Sequence, residues 1–488
     1  MGTKSYRPWT PRQAYLLPPS PTEWLPENHL AYFILDVVER LDLSPIEAAI
    51  AEKDPRGERP YSPRMLLAVL IYGYCVGVFS SRKLARATYE DVAFRVLCGS
   101  THPHFTTVNH FRLQHREEFA GLFVQVLRLC RRAGLVKLGH VSIDGTKILA
   151  NASKHKAMSY DRMQEEEARL RAEINELLAN ADAADRADDE RYGVGVADED
   201  LPAELARREA RVARIEQAMV ALEKEASEAR ATELREQAAG QRAKEQDSSV
   251  DEAERRRAAT RAAKSEANAD QIDPPDDDDP PASADDLPHH RVPTDRDGTP
   301  DPKAQRNFTD ADSRIMVRDG GFVQAYNAQI AVDAKAQVIV AQAVTNQPPD
   351  AEHLLPMLDR VEEALGRMPK KLSADAGYYS DTNAAGCEAR KVDGYVAVAR
   401  TPHSRTPKPQ PVVSATRAAM REKLQSPDGH AVYARRKVIA EPPFGQIKAA
   451  QGFRRFLLRG LAKVRCEWAL VCSTHNLLKL YRAGLAAT

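Results

Sequence analysis

Val141-Ser142-Ile143-Asp144-Gly145-Thr146-Lys147 reads as a brief buried strand ending in an acid, followed by Gly-Thr-Lys. Lys371-Leu372-Ser373-Ala374-Asp375 repeats the form, again with the acid at the strand end. Between them, residues 322–332 and 338–344 are two runs rich in Val, Ile and Gln. The turn 333–337 joins them, and Asp319-Gly320-Gly321 precedes the first. Asp350 then reads as the cap of a helix carrying Leu354, Leu355, Leu358, Val361 and Leu365. A helix over 381–391 precedes a last strand over 395–399. Three strands, helix, strand, helix, strand and terminal helices predict a mixed α/β sheet of five strands.

Acids that end neighbouring strands gather at one sheet edge, and like charges held together there are tolerable when a cation lies between them. Hard oxygen donors favour Mg²⁺ or Mn²⁺. Two such ions about 4 Å apart can activate a nucleophile and stabilise the leaving oxygen of a phosphodiester. A third acid is needed, and Glu441 is the candidate. It opens Glu441-Pro442-Pro443-Phe444, and residues 431–488 hold eleven Lys and Arg against only Glu441 and Glu467.

The whole chain of 488 residues carries 70 Lys and Arg against 70 Asp and Glu. That zero is unevenly spread. Residues 161–302 hold 39 acids and 21 bases and a single aromatic, Tyr192, leaving a net of +18 on the rest. A segment this poor in aromatics reads as an insertion without a compact core. Met163, Leu170, Ile174 and Leu177, then Val212, Ile215, Met219 and Leu222, form two short seams, which predict an antiparallel helical hairpin. Between them lies an acidic stretch with Gly193 and Gly195. Beyond it, 274–302 contain eight prolines and the run Asp276–Asp279, and read as a charged linker that does not fold.

Residues 28–135 read as short helices: 29–43 after Asn28, 64–76 after Ser62-Pro63, one from Arg82 capped by Ser80 or Ser81, and 108–132 from Thr107 to Gly134. Basic first turns, with Arg82, Lys83 and Arg112, suit helix-turn-helix-like DNA contact, although an ordinary helical packing domain reads the same way. His102, His104, His110 and His115 lie without nearby Cys or paired carboxylates, so no zinc site is expected. Six cysteines without a C-x-x-C pair read as reduced and buried in a cytosolic protein. No uncharged apolar stretch reaches membrane-spanning length. The divisions expected are an arm 1–27, a helical DNA-binding region 28–135, a first core piece 136–157, the insertion 158–270, the linker 271–306 and the remaining core 307–488.

The chain resembles the DDE transposases of bacterial insertion sequences, in the branch with a Tyr–Arg–Glu–Lys signature. The resemblance rests on Ser142–Lys147, Asn307–Arg314, Gln324–Gln329, Ala374–Tyr378 and Tyr433-x2-Arg436-x4-Glu441-x6-Lys448, and extends to the helical region 60–132. The commonest form has three residues between Arg and Glu, so Arg435 and Lys437 are neighbouring cations able to take the place of Arg436. The resemblance implies a ribonuclease H-like core, interrupted after the first acid by the insertion. It implies that Asp144, Asp375 and Glu441 ligate two Mg²⁺ ions, with Mn²⁺ able to substitute. Water would cut the element ends, and the freed 3′-OH would attack target DNA. Tyr433, Arg436, Lys448 and Lys147 would contact the DNA strand. Partners would be double-stranded DNA with inverted repeats and a second copy of the chain, in the bacterial cytoplasm with the nucleoid. Two other classes share these features: a non-catalytic DNA-binding scaffold, and a metal-dependent nuclease without strand transfer.

Overall fold

A computed structural model describes residues 20–51, 60–192, 201–274, 287–398 and 414–485. The helical region comprises α1 (Leu30–Arg40), α2 (Ser44–Ala51), α3 (Pro63–Cys75), α4 (Ser81–Glu90), α5 (Val92–Leu97), α6 (Phe105–Gln114) and α7 (Arg116–Arg132). Pro63 occupies the first turn of α3, where its missing N–H costs nothing. The expected single helix over 108–132 is two. The His104 imidazole, rather than Thr107, caps α6, and the chain breaks at His115, whose ring is buried. Gly134, at φ +73°, closes α7 as expected.

The sheet region follows as β1 (His140–Leu149), β2 (Ala157–Ser159), α8 (Tyr160–Tyr192), α9 (Leu201–Gln246), α10 (Glu252–Ile272), β3 (Gln305–Asn307), β4 (Arg314–Arg318), β5 (Gly321–Asp333) and β6 (Ile339–Thr345). It continues with α11 (Leu354–Leu365), β7 (Lys371–Ala374), α12 (Asp381–Ala389), β8 (Asp393–Val396), α13 (Ala415–Gln425), α14 (Pro427–Gly445) and α15 (Leu461–Leu485). The main sheet has six strands, not five, in the order β4-β5-β1-β7-β8, with β6 also on β5. The additional strand is β4, which forms a hairpin with the start of β5 while β6 pairs with its later half. β1 runs antiparallel to β5 and parallel to β7, and β7 runs parallel to β8.

β1 does not end at Asp144. Its ladder with β7 stops at Ser142↔Ser373, but its ladder with β5 continues to Leu149↔Ala325. Asp144 therefore ends the pairing on one side only. One apolar core runs from α1 and α3 through the sheet to α15, so the helical region and the sheet share a single interior. Trp468 on α15 is fully buried and donates to the Gln329 carbonyl at 3.2 Å, locking α15 onto β5.

The insertion departs from the expectation of a coreless segment and goes beyond a two-helix hairpin. It contains three described helices, α8 to α10, and it packs. Met163 and Leu170 meet Val212, Ile215 and Ala218 as the two seams predict. Tyr160, Leu222, Ala226, Val292 and Ala304 form a second cluster. Residues 287–306, expected as part of an unfolded linker, are docked: Leu287 joins the main core and Arg291 pairs with Glu236. Pro288 and His290 supply the backbone, accepting from Thr345 Oγ1 at 2.6 Å and donating to Asn346 Oδ1 at 2.9 Å. Glu225 on α9 receives Arg306 and Arg314, tying the insertion to the strands beside it. The Gly193–Gly195 stretch and the Asp276–Asp279 run lie outside the described residues.

Candidate active site

Ser142 faces Ser373 across parallel strands, so two residues further on Asp144, still within β1, and Asp375, just past the end of β7, lie at one level of the sheet. Neighbouring strands lie about 4.8 Å apart. Asp144 is largely buried, at 16% side-chain exposure. Burial pushes its carboxyl up to about 6, Arg436 opposes the shift, and the Asp375 and Asp350 charges add to it. Asp375 Oδ1 also accepts from Gly377 N at 2.8 Å, capping the turn Ala376–Tyr378.

Arg436, not Arg435 or Lys437, supplies the cation. Its Nη1 lies 3.5 Å from Asp144 Oδ2, whereas its two neighbours are exposed. Tyr433, half-buried one turn earlier, has its phenol raised by burial and lowered by Arg436 beside it, with the two aspartates adding to the rise. Both residues ride on α14, which packs across β1, β5, β7 and β8.

Glu441 is placed differently. It is exposed, about 80° round α14 from Tyr433 at 100° per residue. Pro442 follows it and lacks an N–H for the Val438 carbonyl. Gln337 Nε2 takes that carbonyl at 2.8 Å, pinning the interrupted helix to the β5–β6 turn. After Gly445 the chain makes a π-helical turn, Gln446–Ala450. Lys448 lies in that turn, so its phase relative to Glu441 is not that of two regular α-helical turns. Its ammonium donates to Thr146 Oγ1, two residues from Asp144 on the same face of β1, and lies 5.6 Å over the Phe444 ring.

Lys147 points to the other face. Its Nζ donates to Pro348 O at 2.7 Å and to Asp350 Oδ1 at 3.2 Å. Asn327 Nδ2 and Gln329 Nε2 reach the same oxygen at 2.7 and 2.9 Å, and the Tyr378 hydroxyl donates to Gln329 Oε1. Asp350 is thus a fourth carboxylate of this region, and its side chain makes no cap hydrogen bond to the following turn. The sequence reading missed it. The available signal was a set of three amides, 324, 327 and 329, the last two at alternate positions, in a largely apolar strand.

Two glycines are set by close approach. A Cβ at Gly145 would come 2.3 Å from Gln329 Nε2 and 3.0 Å from the Tyr378 hydroxyl. One at Gly377 would come 3.0 Å from Asp375 Oδ1 and 3.6 Å from Asp350 Oδ2, so both carboxylates border that spot.

Asp144 and Asp375 suit a divalent cation: hard oxygen donors at one level, one of them costly to ionise without a partner. Among the described residues no group of three or more His, Cys, Asp or Glu side chains is gathered as a metal site, and Glu441 is exposed. The six cysteines are free and buried, and no described helix is long and apolar enough to cross a membrane.

On the helical region, Arg82 and Lys83 are exposed on α4, with the Arg82 guanidinium 5.1 Å from the Phe105 ring centre. Arg112 is not a surface cation. It is 3% exposed and donates to the Tyr74 hydroxyl, Phe79 O, Ser81 Oγ and Asn109 Oδ1. Its charge answers Glu467, fully buried on α15, which accepts from Leu457 N, Leu458 N and the Tyr74 hydroxyl. The sequence shows Arg112 as one more base on a polar helix; the burial comes from α3 and α4 packing against α6.

Two family models match this chain. One, described as a transposase domain (DUF772), covers residues 19–114, and the other, a transposase DDE domain, covers residues 376–481. The second contains Tyr433, Arg436, Glu441 and Lys448; Asp144 and Asp375 fall outside both spans. The matches support the resemblance to DDE transposases of insertion sequences and indicate a transposase. No curated protein and no solved structure matches the chain.

Proposed function

We propose that this chain is a metal-dependent DNA transposase that cleaves phosphodiesters at element ends and joins the freed 3′-OH to target DNA. The observation that carries this reading is the placement of Asp144 and Asp375 each two residues beyond the Ser142–Ser373 pair of adjacent parallel strands. The order β6-β5-β1-β7-β8, antiparallel on one side of β1 and parallel on the other, supports a ribonuclease H-like core. In this reading Asp144, Asp375 and Glu441 would hold two Mg²⁺ or Mn²⁺ ions. When bound, the ions supply charge stabilisation at the transferring phosphate and lower the pKa of the attacking hydroxyl.

The chain's own residues do the positioning. Arg436 offsets the Asp144 charge and holds a non-bridging phosphate oxygen. Lys448, anchored on Thr146, fixes the neighbouring phosphate, and Tyr433 packs against the strand. Lys147 orders Asp350 behind them. Arg82 and Lys83 contact the duplex backbone, and two copies of the chain bring two ends together.

Strand transfer separates this reading from a nuclease. Pre-cut 3′-OH element ends incubated with supercoiled plasmid and Mg²⁺ are expected to yield joined products. Cutting without joining would leave the nuclease reading, and DNA binding with neither would leave the scaffold.

A further inference from the structure

The β4–β5 hairpin carries two large apolar side chains with no cover. Val317 and Phe322 are cross-strand partners, 62% and 64% exposed. Their turn is tight, with Asp319 at φ +50° and Gly320 at φ +76°, so the pair is presented on a stiff tip rather than a slack loop. Phe322 lies on the face of β5 that carries Ala328, the partner of Thr146, and hence on the Asp144 face of the sheet. Beyond the tip stands a basic edge. Arg454 and Arg455 are exposed, Arg454 Nε donates to the Lys448 carbonyl at 3.0 Å, and the charges of Arg318 and Arg454 both bear on Lys448. Asp319, the acid at the tip, pairs with Arg318 at 3.3 Å.

One phenyl ring and one valine are too little apolar area for a stable contact between two proteins, which buries about 1,000 Å² or more. An aromatic beside cations matches nucleic acid, where a base stacks on the ring and phosphates meet the bases. We propose that the β4–β5 hairpin is a DNA-contact wedge, with Phe322 stacking on an unpaired base while the backbone lies along Arg454, Arg455 and Lys448. This rests on the DNA-binding part of the function proposed above.

The test measures fluorescence anisotropy of the full chain with a labelled blunt duplex and with the same duplex mismatched at one end. The wild-type chain is expected to prefer the mismatched duplex by roughly tenfold. Phe322→Ala removes the preference, and Phe322→Trp keeps it. Replacing Arg454 and Arg455 by Gln weakens both duplexes alike and lowers the salt slope by about two. A wild-type chain without preference, a Phe322→Ala chain that keeps it, or a Phe322→Ala change in oligomeric state would each overturn the wedge. Failure of the wild-type chain to bind either duplex would overturn the transposase reading as well.

Discussion

Around Trp468, Phe453, Phe456 and Tyr326 the sheet body is filled by large rings set edge to face, whereas α9 and α10 of the insertion meet through Ala231, Ala238, Ala258, Ala262 and Ala269. Small side chains let helix axes approach, and ion pairs such as Arg242–Glu266 and Arg235–Asp270 close the seam. A scarcity of aromatics therefore argues against a thick core and says nothing against packing. The charge contrast softens in the same way. Much of the insertion's acidity meets its own arginines, as with Arg169 against Glu166 and Glu173.

The comparison breaks most easily in the body. Glu467→Ala removes the acceptor of two backbone N–H groups and one phenol and leaves Arg112 buried without its counter-charge. It is expected to cost about 4 kcal/mol in urea unfolding. A loss no larger than that of an exposed position would show that the two arms of this network are independent.

Asp144 gives the opposite sign. Its folded-state carboxyl is raised from 3.8 to about 6, so its contribution to stability is complete at low pH and is lost as pH rises through about 6. In metal-free buffer, Asp144→Asn is expected to stabilise the chain by about 3 kcal/mol at pH 8. The gain should shrink through pH 6 and vanish near pH 4. A gain that does not vary with pH would assign it to something other than ionisation.

The insertion offers the smallest effect. Ala262→Leu overfills the α9–α10 seam and is expected to cost about 2 kcal/mol, confined to these helices. Hydrogen exchange should quicken in α10 and stay unchanged in β1 and β5. Faster exchange throughout would mean that body and insertion unfold as one.

The order of strands and helices was legible because buried strands show continuous apolar runs and helices show caps. Both aspartates were legible for the same reason, as acids that punctuate apolar runs. β4 was not, since Arg314-Ile315-Met316-Val317-Arg318 is short, flanked by charge and exposed at Val317. Asp350 was hidden because a Pro-Pro-Asp start to a helix looks like a cap, and only tertiary contact shows its oxygen taken by Lys147, Asn327 and Gln329. The phase of Lys448 was hidden by a π turn that no spacing rule contains. Arg112 and Arg436 look alike in sequence; one is sealed between α6, α3 and α4 and the other faces Asp144.

The most direct measurement is Mg²⁺-dependent cleavage of a DNA fragment carrying the element ends, compared among the wild-type chain, Asp144→Asn, Asp375→Asn and Glu441→Gln, with DNA binding followed in parallel. Cleavage is expected from the wild-type chain alone, and binding from all four. Cleavage retained by Glu441→Gln would contradict a metal-holding role for that exposed carboxylate, and cleavage retained by either aspartate variant would contradict the site itself.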